Sequence, residues 1–324
     1  MSILKNVASI LAGFALCTAA VAAQAAYPDR PIHLIVPFPA GGGTDATARL
    51  IAAELGPLLG QTIVVENRAG AAGTIGAQSV VGAAPDGYTL FFSTTGVLVI
   101  NPYLYKNLRY DPIKDFTPIG PVASSANVLV VNPKVPVHTV KELIALAKSE
   151  PGKLTFGSSG IGSSSHLAAV MLESLTGIKL LHIPYKGTAP AITDLVGGRI
   201  NMMIDNIPSY VELAKAGKVR PLGVSGTTPS PLFPGVPTIA QAGVPGYDIT
   251  IWYAILGPAG LPKEVVEKLS TAIQQVVKHP GMDKKLQAIG SDPMTQTPQE
   301  FAAFIRKESE KWGRIVRESG AAEQ

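Results

Sequence analysis

Cysteine is almost absent from this sequence. Only one occurs in the 324 residues, Cys17, and it lies in an apolar stretch near the N-terminus. The rest of the chain therefore offers no disulfide, no thiolate nucleophile and no cysteine-ligated metal site. The five histidines also lack the H-E-x-x-H spacing of a zinc enzyme. We predict no cofactor and no metal.

Charged residues are also scarce. They make up 15% of the chain, and the formal net charge is only +4. No cluster of five or more lysines and arginines occurs, so the sequence lacks the concentrated positive charge that a nucleic-acid partner requires. Apolar residues make up 46%, which can fill a sizeable core and argues against disorder. Beyond residue 26 no apolar run approaches a membrane span, so we expect a soluble mature protein.

The first 25 residues are typical of a secretory signal peptide. Lys5 precedes an apolar stretch, "VASILAGFALCTAAVAA", which ends in the small-residue pattern "AQA" at residues 23–25. We predict cleavage after Ala25, a mature chain that starts near Tyr27, and export to the periplasm. The alternative is an uncleaved membrane anchor.

The mature chain opens with strands and helices in alternation. "IHLIV" (32–36), "TIVVEN" (62–67) and "YTLFFST" (88–94) are typical of buried strands. Between the first two, apolar residues recur at helical spacing, and Thr44 or Asp45 is placed to cap that helix at its N-terminus. The βαβαβ order predicts parallel strands with right-handed crossovers.

A proline-rich connection at residues 101–122 separates this block from a second series of strands and helices. Proline and glycine become dense again near 225–250, where the chain returns to the first block and ends in two helices. The fold class is α/β, with two lobes, parallel or mixed sheets, and helices on both faces. We predict lobe one at 27–125 plus 250–324, lobe two at 126–249, and a ligand site in the cleft between them.

A glycine-rich loop follows the first strand, "VPFPAGGGTDATARL" (36–50). Three consecutive glycines let backbone amides approach a ligand, and the helix N-terminus adds partial positive charge, so the loop favours an anion. The lysine of a phosphate-binding loop is missing. A dinucleotide site built on Gly41, Gly43 and Ala46, with Glu66 near a ribose, is a looser alternative, as is a tight turn without a ligand.

A second loop repeats the arrangement in the other block. "FGSSGIGSSSHLAAV" (156–170) has five serines and three glycines within residues 157–165. Their hydroxyl groups and amides are hydrogen-bond donors at the start of a helix. Two such loops facing each other across a cleft would grip a carboxylate from both sides, and the ligand would hold the lobes closed.

The sequence closely resembles the solute-binding receptors of tripartite tricarboxylate transporters, also called Bug receptors. The resemblance spans essentially the whole mature chain and is carried by "YPDRPIHLIVPFPAGGGTDATARLIA", "VVENRAGAAGTIGAQSVVGAAPDGYTL", "GSSGIGSSSHLA", "HIPYKGTAPAITDLVGGRINMMIDN" and "VPTIAQAGVPGYDITIWYAILGPAGLP". It implies a two-lobed, type II-like periplasmic binding protein. Such a receptor delivers a small carboxylate, for example a di- or tricarboxylate, an acidic amino acid or an aromatic acid, to an integral-membrane permease. We expect a monomer.

The resemblance also implies ligand-binding residues. The two loops and the turn after "HIPY" supply most of them, and two further side chains form walls: Phe38, Ala40, Gly41, Gly42, Thr44, Asp45, Ser158, Gly160, Ser163, Ser165, His166, Gly187 and Thr188, with Thr94 and Asp205 as wall residues. Asp45 is better suited to bracing its loop than to touching a carboxylate. His166 fits a structural role as well as ligand contact, and Asp205 either pairs internally or recognises an amine.

Two other functions stay open. A receptor of this kind can present its loaded form to a sensor kinase instead of a permease. A secreted serine hydrolase is a remote alternative, because serine, histidine and aspartate are all present. The nucleophile elbow G-x-S-x-G is absent, however. Several serines in one glycine-rich loop favour hydrogen bonding over a single activated hydroxyl, so we do not expect an enzyme.

Overall fold

The computed structural model describes residues 27–319 together with Ala322. The predicted signal peptide lies outside the described residues. Within them, no helix is both long enough and apolar enough to cross a membrane.

Ten strands and ten α-helices form the described chain. The strands are β1 (Ile32–Val36), β2 (Ile63–Asn67), β3 (Thr89–Thr94), β4 (Phe116–Val131), β5 (Thr155–Ser158), β6 (Leu181–Pro184), β7 (Met202–Asn206), β8 (Arg220–Val224), β9 (Thr250–Pro258) and β10 (Asp292–Pro293). The helices are α1 (Gly43–Leu59), α2 (Thr74–Val81), α3 (Asn101–Leu104), α4 (Val140–Ser149), α5 (Ser164–Thr176), α6 (Thr188–Gly197), α7 (Val211–Lys215), α8 (Lys263–Lys278), α9 (Met282–Ala288) and α10 (Pro298–Ser319).

The strands form a mixed sheet in the order β2-β1-β3-β9-β4-β7-β5-β6, with β8 and β10 both pairing with β4. β1 is parallel to β2 and to β3, as the opening βαβαβ pattern predicts. β9 is antiparallel to both β3 and β4, which makes the sheet mixed rather than parallel.

β4 connects the two halves of the molecule. Its first part, up to Ala126, pairs with β9, whereas Asn127–Val131 pairs with β7 and β8. The prediction that 101–122 is only a connection is therefore wrong, because it contains α3 and the start of this strand. Prolines 118 and 121 lie next to shifts in the β4–β9 register, and irregular positions of this kind tolerate a residue without an N–H.

The strand directions bring the candidate loops to one place. β3 runs in the same direction as β4, because both are antiparallel to β9, and it ends where β4 leaves the first half. β7 is antiparallel to β4 and ends where the second part of β4 begins. The carboxyl ends of β3 and β7 therefore meet at the junction of the two halves, the usual position of ligands in open α/β sheets. The bounds of the two lobes remain a prediction.

The last helix, α10, joins a core that extends through both halves. Its Phe301 and Trp312 are fully buried in an apolar cluster with Leu167 of α5. Trp252 of β9 belongs to the same cluster and packs edge-on against Phe301. The apolar surface buried in this cluster holds the two halves together on the side of α10. The two halves then face each other at the loops that follow the strand ends.

Candidate functional site

The first loop leads from β1 into α1. The helix begins at Gly43 with Gly42 as its N-cap, and no side chain caps it, so the prediction of Thr44 or Asp45 as the cap is wrong. The first intrahelical bond runs from the Ala46 amide to the Gly42 carbonyl. The amides of residues 43–45 precede that bond and are available to a ligand.

Asp45 braces this loop from inside the fold. Its carboxylate accepts hydrogen bonds from the Gly41 amide, from Arg49 Nε and from Asn67 Nδ2, each at 2.9 Å. Asn67 also donates to the Phe38 carbonyl at 3.0 Å. Burial acts to raise the pKa of Asp45, but the bonds from Arg49, Gly41 and Asn67 outweigh it and the pKa is lowered. The geometry supports bracing rather than ligand contact.

The second loop leads from β5 into α5 and is held by its own serines. Ser163 is the N-cap of α5; its hydroxyl accepts from the His166 amide at 3.3 Å and donates to the Gly160 carbonyl at 2.6 Å. Ser165 is fully buried and accepts from the Ser159 amide at 2.9 Å. These hydroxyl groups are used within the loop, so its backbone at the helix start is the better candidate for a ligand.

Two stacked imidazoles lie beneath the second loop. His182 stacks on Phe156 at 4.6 Å and on His166 at 4.2 Å between ring centroids. The Gly162 amide donates to His166 Nδ1 at 3.1 Å, so this nitrogen is unprotonated. Burial, and then the charge of His182, lower the pKa of His166 to about 4. Burial also lowers the pKa of His182, and both rings are neutral at pH 7.

Ser158 Oγ lies 2.7 Å from His182 Nε2, the atoms expected of a nucleophile and its base. The serine has no exposed surface, however, and it also bonds to the backbone of Gly160 in its own loop. A substrate cannot reach this hydroxyl without opening the loop. The contact is therefore better explained as support for the loop than as a hydrolase dyad.

The start of α6 lies beside the second loop. The Gly187 amide donates to the Ser159 carbonyl at 3.2 Å. Thr188 Oγ1 donates to the Asp205 carboxylate at 2.9 Å, and Tyr210 donates to the same carboxylate at 3.4 Å. Burial raises the pKa of Asp205, with these bonds acting in the opposite direction. Asp205 is thus paired within its own half of the molecule.

Contacts between the halves bring these elements together. A methyl group placed on Gly43 would lie 3.3 Å from Asn206 Nδ2, so the start of α1 faces the end of β7. In the same way, a methyl group on Gly162 in the second loop would collide with Leu104 of α3. Both glycine-rich loops therefore contact the opposite half of the molecule.

Tyr253 forms part of the wall on the side of the first loop. It is the cross-strand partner of Thr94, and the Thr44 side chain acts on the pKa of its hydroxyl. Burial and then the nearby Asp205 raise the pKa of Tyr253 to about 12, against the effect of Thr44. Thr94 is itself buried. Thr44, Thr94, Tyr253 and Asp205 therefore occupy one region.

Two of the remaining predicted residues lie at the edge of this region. Phe38 is half-buried, and its Cζ would be 3.6 Å from a methyl group on Gly73 of the neighbouring turn. Ala40 is exposed. Asn206 and His182 are missing from the predicted set. Asn206 directly follows Asp205 at a strand end, and that position was the one signal that could have identified it.

The family model for the tripartite tricarboxylate transporter family receptor matches residues 47–321. This chain belongs to that receptor family. BugT of Bordetella pertussis is 37% identical over 322 residues, which cover 98% of this chain and 99% of BugT. Both the resemblance of the sequence to Bug receptors and the expectation of a transport receptor are confirmed.

The fold of this receptor matches solved structures over nearly the whole length of both chains. Rpa4515 of R. palustris, solved with adipate, has a TM-score of 0.83 and 38% identity, with 91% of this chain and 98% of that chain covered. MatC of Rhodopseudomonas palustris, solved with malate, has a TM-score of 0.79 and 32% identity, with 90% and 100% covered. The receptor therefore has the two-lobed fold of a periplasmic binding protein, and its family is one of solute-binding receptors, not enzymes.

Proposed function

We propose that this receptor captures a small carboxylate in the periplasm, between its two lobes, and delivers it to the permease of a tripartite tricarboxylate transporter. The proposal is supported by a chain of contacts: the start of α1 faces Asn206, the adjacent Asp205 accepts a bond from Thr188 at the start of α6, and Gly187 bonds to Ser159 of the loop that opens α5. Adipate and malate in two related structures support a carboxylate as the solute.

Backbone amides are sufficient for such a site. Each helix N-terminus carries roughly half a positive charge, and a hydrogen bond to a charged group contributes about 1.5–3 kcal/mol. A micromolar complex needs roughly 8 kcal/mol, so four or five such donors suffice after the cost of association. In this proposal the amides of residues 43–45, 164–165 and 188 hold the carboxylate, while the side chains of Asp45, Ser158, Ser163, Ser165 and His166 position them.

Thermal unfolding of the mature protein tests the proposal. A panel of dicarboxylates, acidic amino acids and aromatic acids is compared with neutral sugars of similar size. A bound carboxylate at a hundredfold excess over its Kd should stabilise the protein by about 2.7 kcal/mol. Stabilisation by sugars and by no carboxylate would contradict the proposal. Co-purification of the loaded receptor with the permease subunits, but not of the empty one, tests delivery separately.

A further inference from the structure

His182 contacts the second loop from outside it. The residue lies on β6, the last strand of the sheet. Its Nε2 is 2.7 Å from Oγ of Ser158, where the loop begins, and its ring stacks at 4.2 Å on His166, in the first turn of the helix where the loop ends. Between these points the Gly162 amide donates to His166 Nδ1 at 3.1 Å. One side chain of β6 therefore supports both ends of the loop.

This arrangement depends on a neutral ring at His166. Its Nδ1 accepts the bond from Gly162 only while that nitrogen carries no proton. A proton there would turn the acceptor into a donor facing an amide, and it would place a buried charge against the ring of His182. Burial, and then His182, lower the pKa of His166 to about 4 from its ordinary value of 6.5. Opening of the loop returns the ring to water and removes the cause of this shift.

Other charged groups do not offset this effect. The strands β5 and β6 carry no titratable side chain besides His182. Within the described chain, the pKa of each imidazole is shifted by burial and, for His166, by His182 alone. The carboxylates on the surrounding elements already accept hydrogen bonds from a backbone amide, from hydroxyl groups or from indoles. The buried or half-buried titratable groups on these elements are Glu173 on α5, Asp205 on β7, Glu308 and Lys311 on α10, and Tyr103 and Tyr105 at α3.

We propose that His182 is a positioning residue of the proposed carboxylate site and that, through its contact with His166, it makes solute binding depend on pH. While both rings are neutral, they hold the loop so that the amides at the start of α5 are available to the solute. Uptake of a proton by His166 removes the acceptor of the Gly162 amide, and the loop and the carboxylate are released. The inference rests on the proposed function and adds the regulation of the same site.

The direction of the pH dependence follows from the geometry. The loop as folded disfavours the proton on His166, whereas the open loop takes it up near the ordinary value of 6.5. Solute affinity should therefore be complete above about pH 6.5 and should fall as the pH decreases towards 4, by at most about tenfold per pH unit. A direct attraction between an imidazolium and the carboxylate would give the opposite sign.

Isothermal titration of the mature protein between pH 7.5 and 5 tests this inference, with the dicarboxylates, acidic amino acids and aromatic acids of the thermal panel as probes. Wild-type affinity should fall about tenfold over this range, after correction for ionisation of the solute itself. His182→Gln loses the stack on His166, so we expect affinity at pH 7.5 to fall about tenfold and the pH dependence to become weaker. His182→Phe keeps a stacked ring but loses the bond to Ser158, and it should retain the pH dependence at reduced affinity.

The matched control is His138→Gln, whose histidine is exposed in the same half of the molecule and which should keep both the affinity and the pH profile of the wild type. Urea denaturation at pH 7.5 separates positioning from stability, since a merely structural His182 would lower stability and leave the pH profile of binding unchanged. A flat wild-type profile, or affinity that rises on acidification, would overturn the inference and leave the proposed function intact. Binding of no carboxylate at any pH would overturn both.

Discussion

The two loops that open α1 and α5 share one plan but are held in place differently. The first has a charged brace, in which Asp45 joins the loop to Arg49 and Asn67. The second has a neutral brace made of serine hydroxyls and the stacked rings of His166 and His182. At the first helix the N-cap is a glycine without a side chain, and at the second it is a serine.

This difference shows that polar residues in a glycine-rich loop can serve to hold the loop itself. The serines of the second loop suggest hydroxyl donors, but Ser158, Ser163 and Ser165 are all engaged within the loop. What the loops have in common is a helix start whose first amides are unbonded within the helix. The proposed function therefore uses the backbone of both loops, and the side chains determine how each backbone is held.

The largest expected effect comes from obstructing the first loop. Gly42 has a φ of −84° and ample space, since a methyl group there would meet only the Pro39 carbonyl, at 3.8 Å. Gly42→Val should fold normally, yet its side chain covers the amides at the start of α1, so solute affinity should fall more than a hundredfold by titration calorimetry. The matched control is Gly82→Val, at a φ of −82° with its nearest neighbour 3.9 Å away. Normal binding by Gly42→Val would remove the first loop from the site.

A smaller effect is expected from removing the charged brace. Asp45→Ala loses the acceptor for Gly41, Arg49 and Asn67. We expect a loss of about 2 kcal/mol in the free energy of unfolding, measured by urea denaturation, and weaker solute binding because the loop is no longer fixed. Glu212→Ala, which breaks an exposed ion pair with Lys215, is the control and should change stability by less than about 1 kcal/mol. Equal effects of the two variants would show that the brace does not hold the loop.

A change of pH separates the two braces. The pKa of His166 is lowered to about 4 from its ordinary value of 6.5, so the unfolded chain takes up the proton first. The stability from this residue is therefore complete above about pH 6.5 and is lost as the pH falls towards 4, by at most about 1.4 kcal/mol per pH unit. The lowered pKa of Asp45 keeps the first brace ionised over this range.

Hydrogen exchange can follow the first intrahelical amide of each helix, Leu167 for α5 and Ala46 for α1. On acidification from pH 7 to about 4, Leu167 should lose protection earlier than Ala46 once intrinsic exchange rates are taken into account. The loss of protection at Leu167 should be smaller in His166→Gln than in the wild type. It should equal that of the wild type in His279→Gln, because His279 is exposed. Parallel loss at both amides would show that the two loops open as one unit.

Much of the architecture could be predicted from local patterns. The opening βαβαβ unit and its parallel pairing follow from apolar runs and glycine-rich turns, and the two loops were identifiable because they combine a strand end with a helix start. The prolines at 118 and 121 misled the prediction, since their tolerance depends on irregular pairing with β9 that no local pattern contains. The N-cap of α1 was also mispredicted, because the Asp45 carboxylate turns back to Gly41 and Arg49 instead of capping the helix.

The sequence by itself determined the family and the two glycine-rich loops, because each depends on residue types close together along the chain. Only the tertiary structure decided that Asn206 faces Gly43. It also decided that the loop serines are already bonded. Such facts depend on strands and helices that are distant in sequence and meet only when β4 carries the chain from one half to the other.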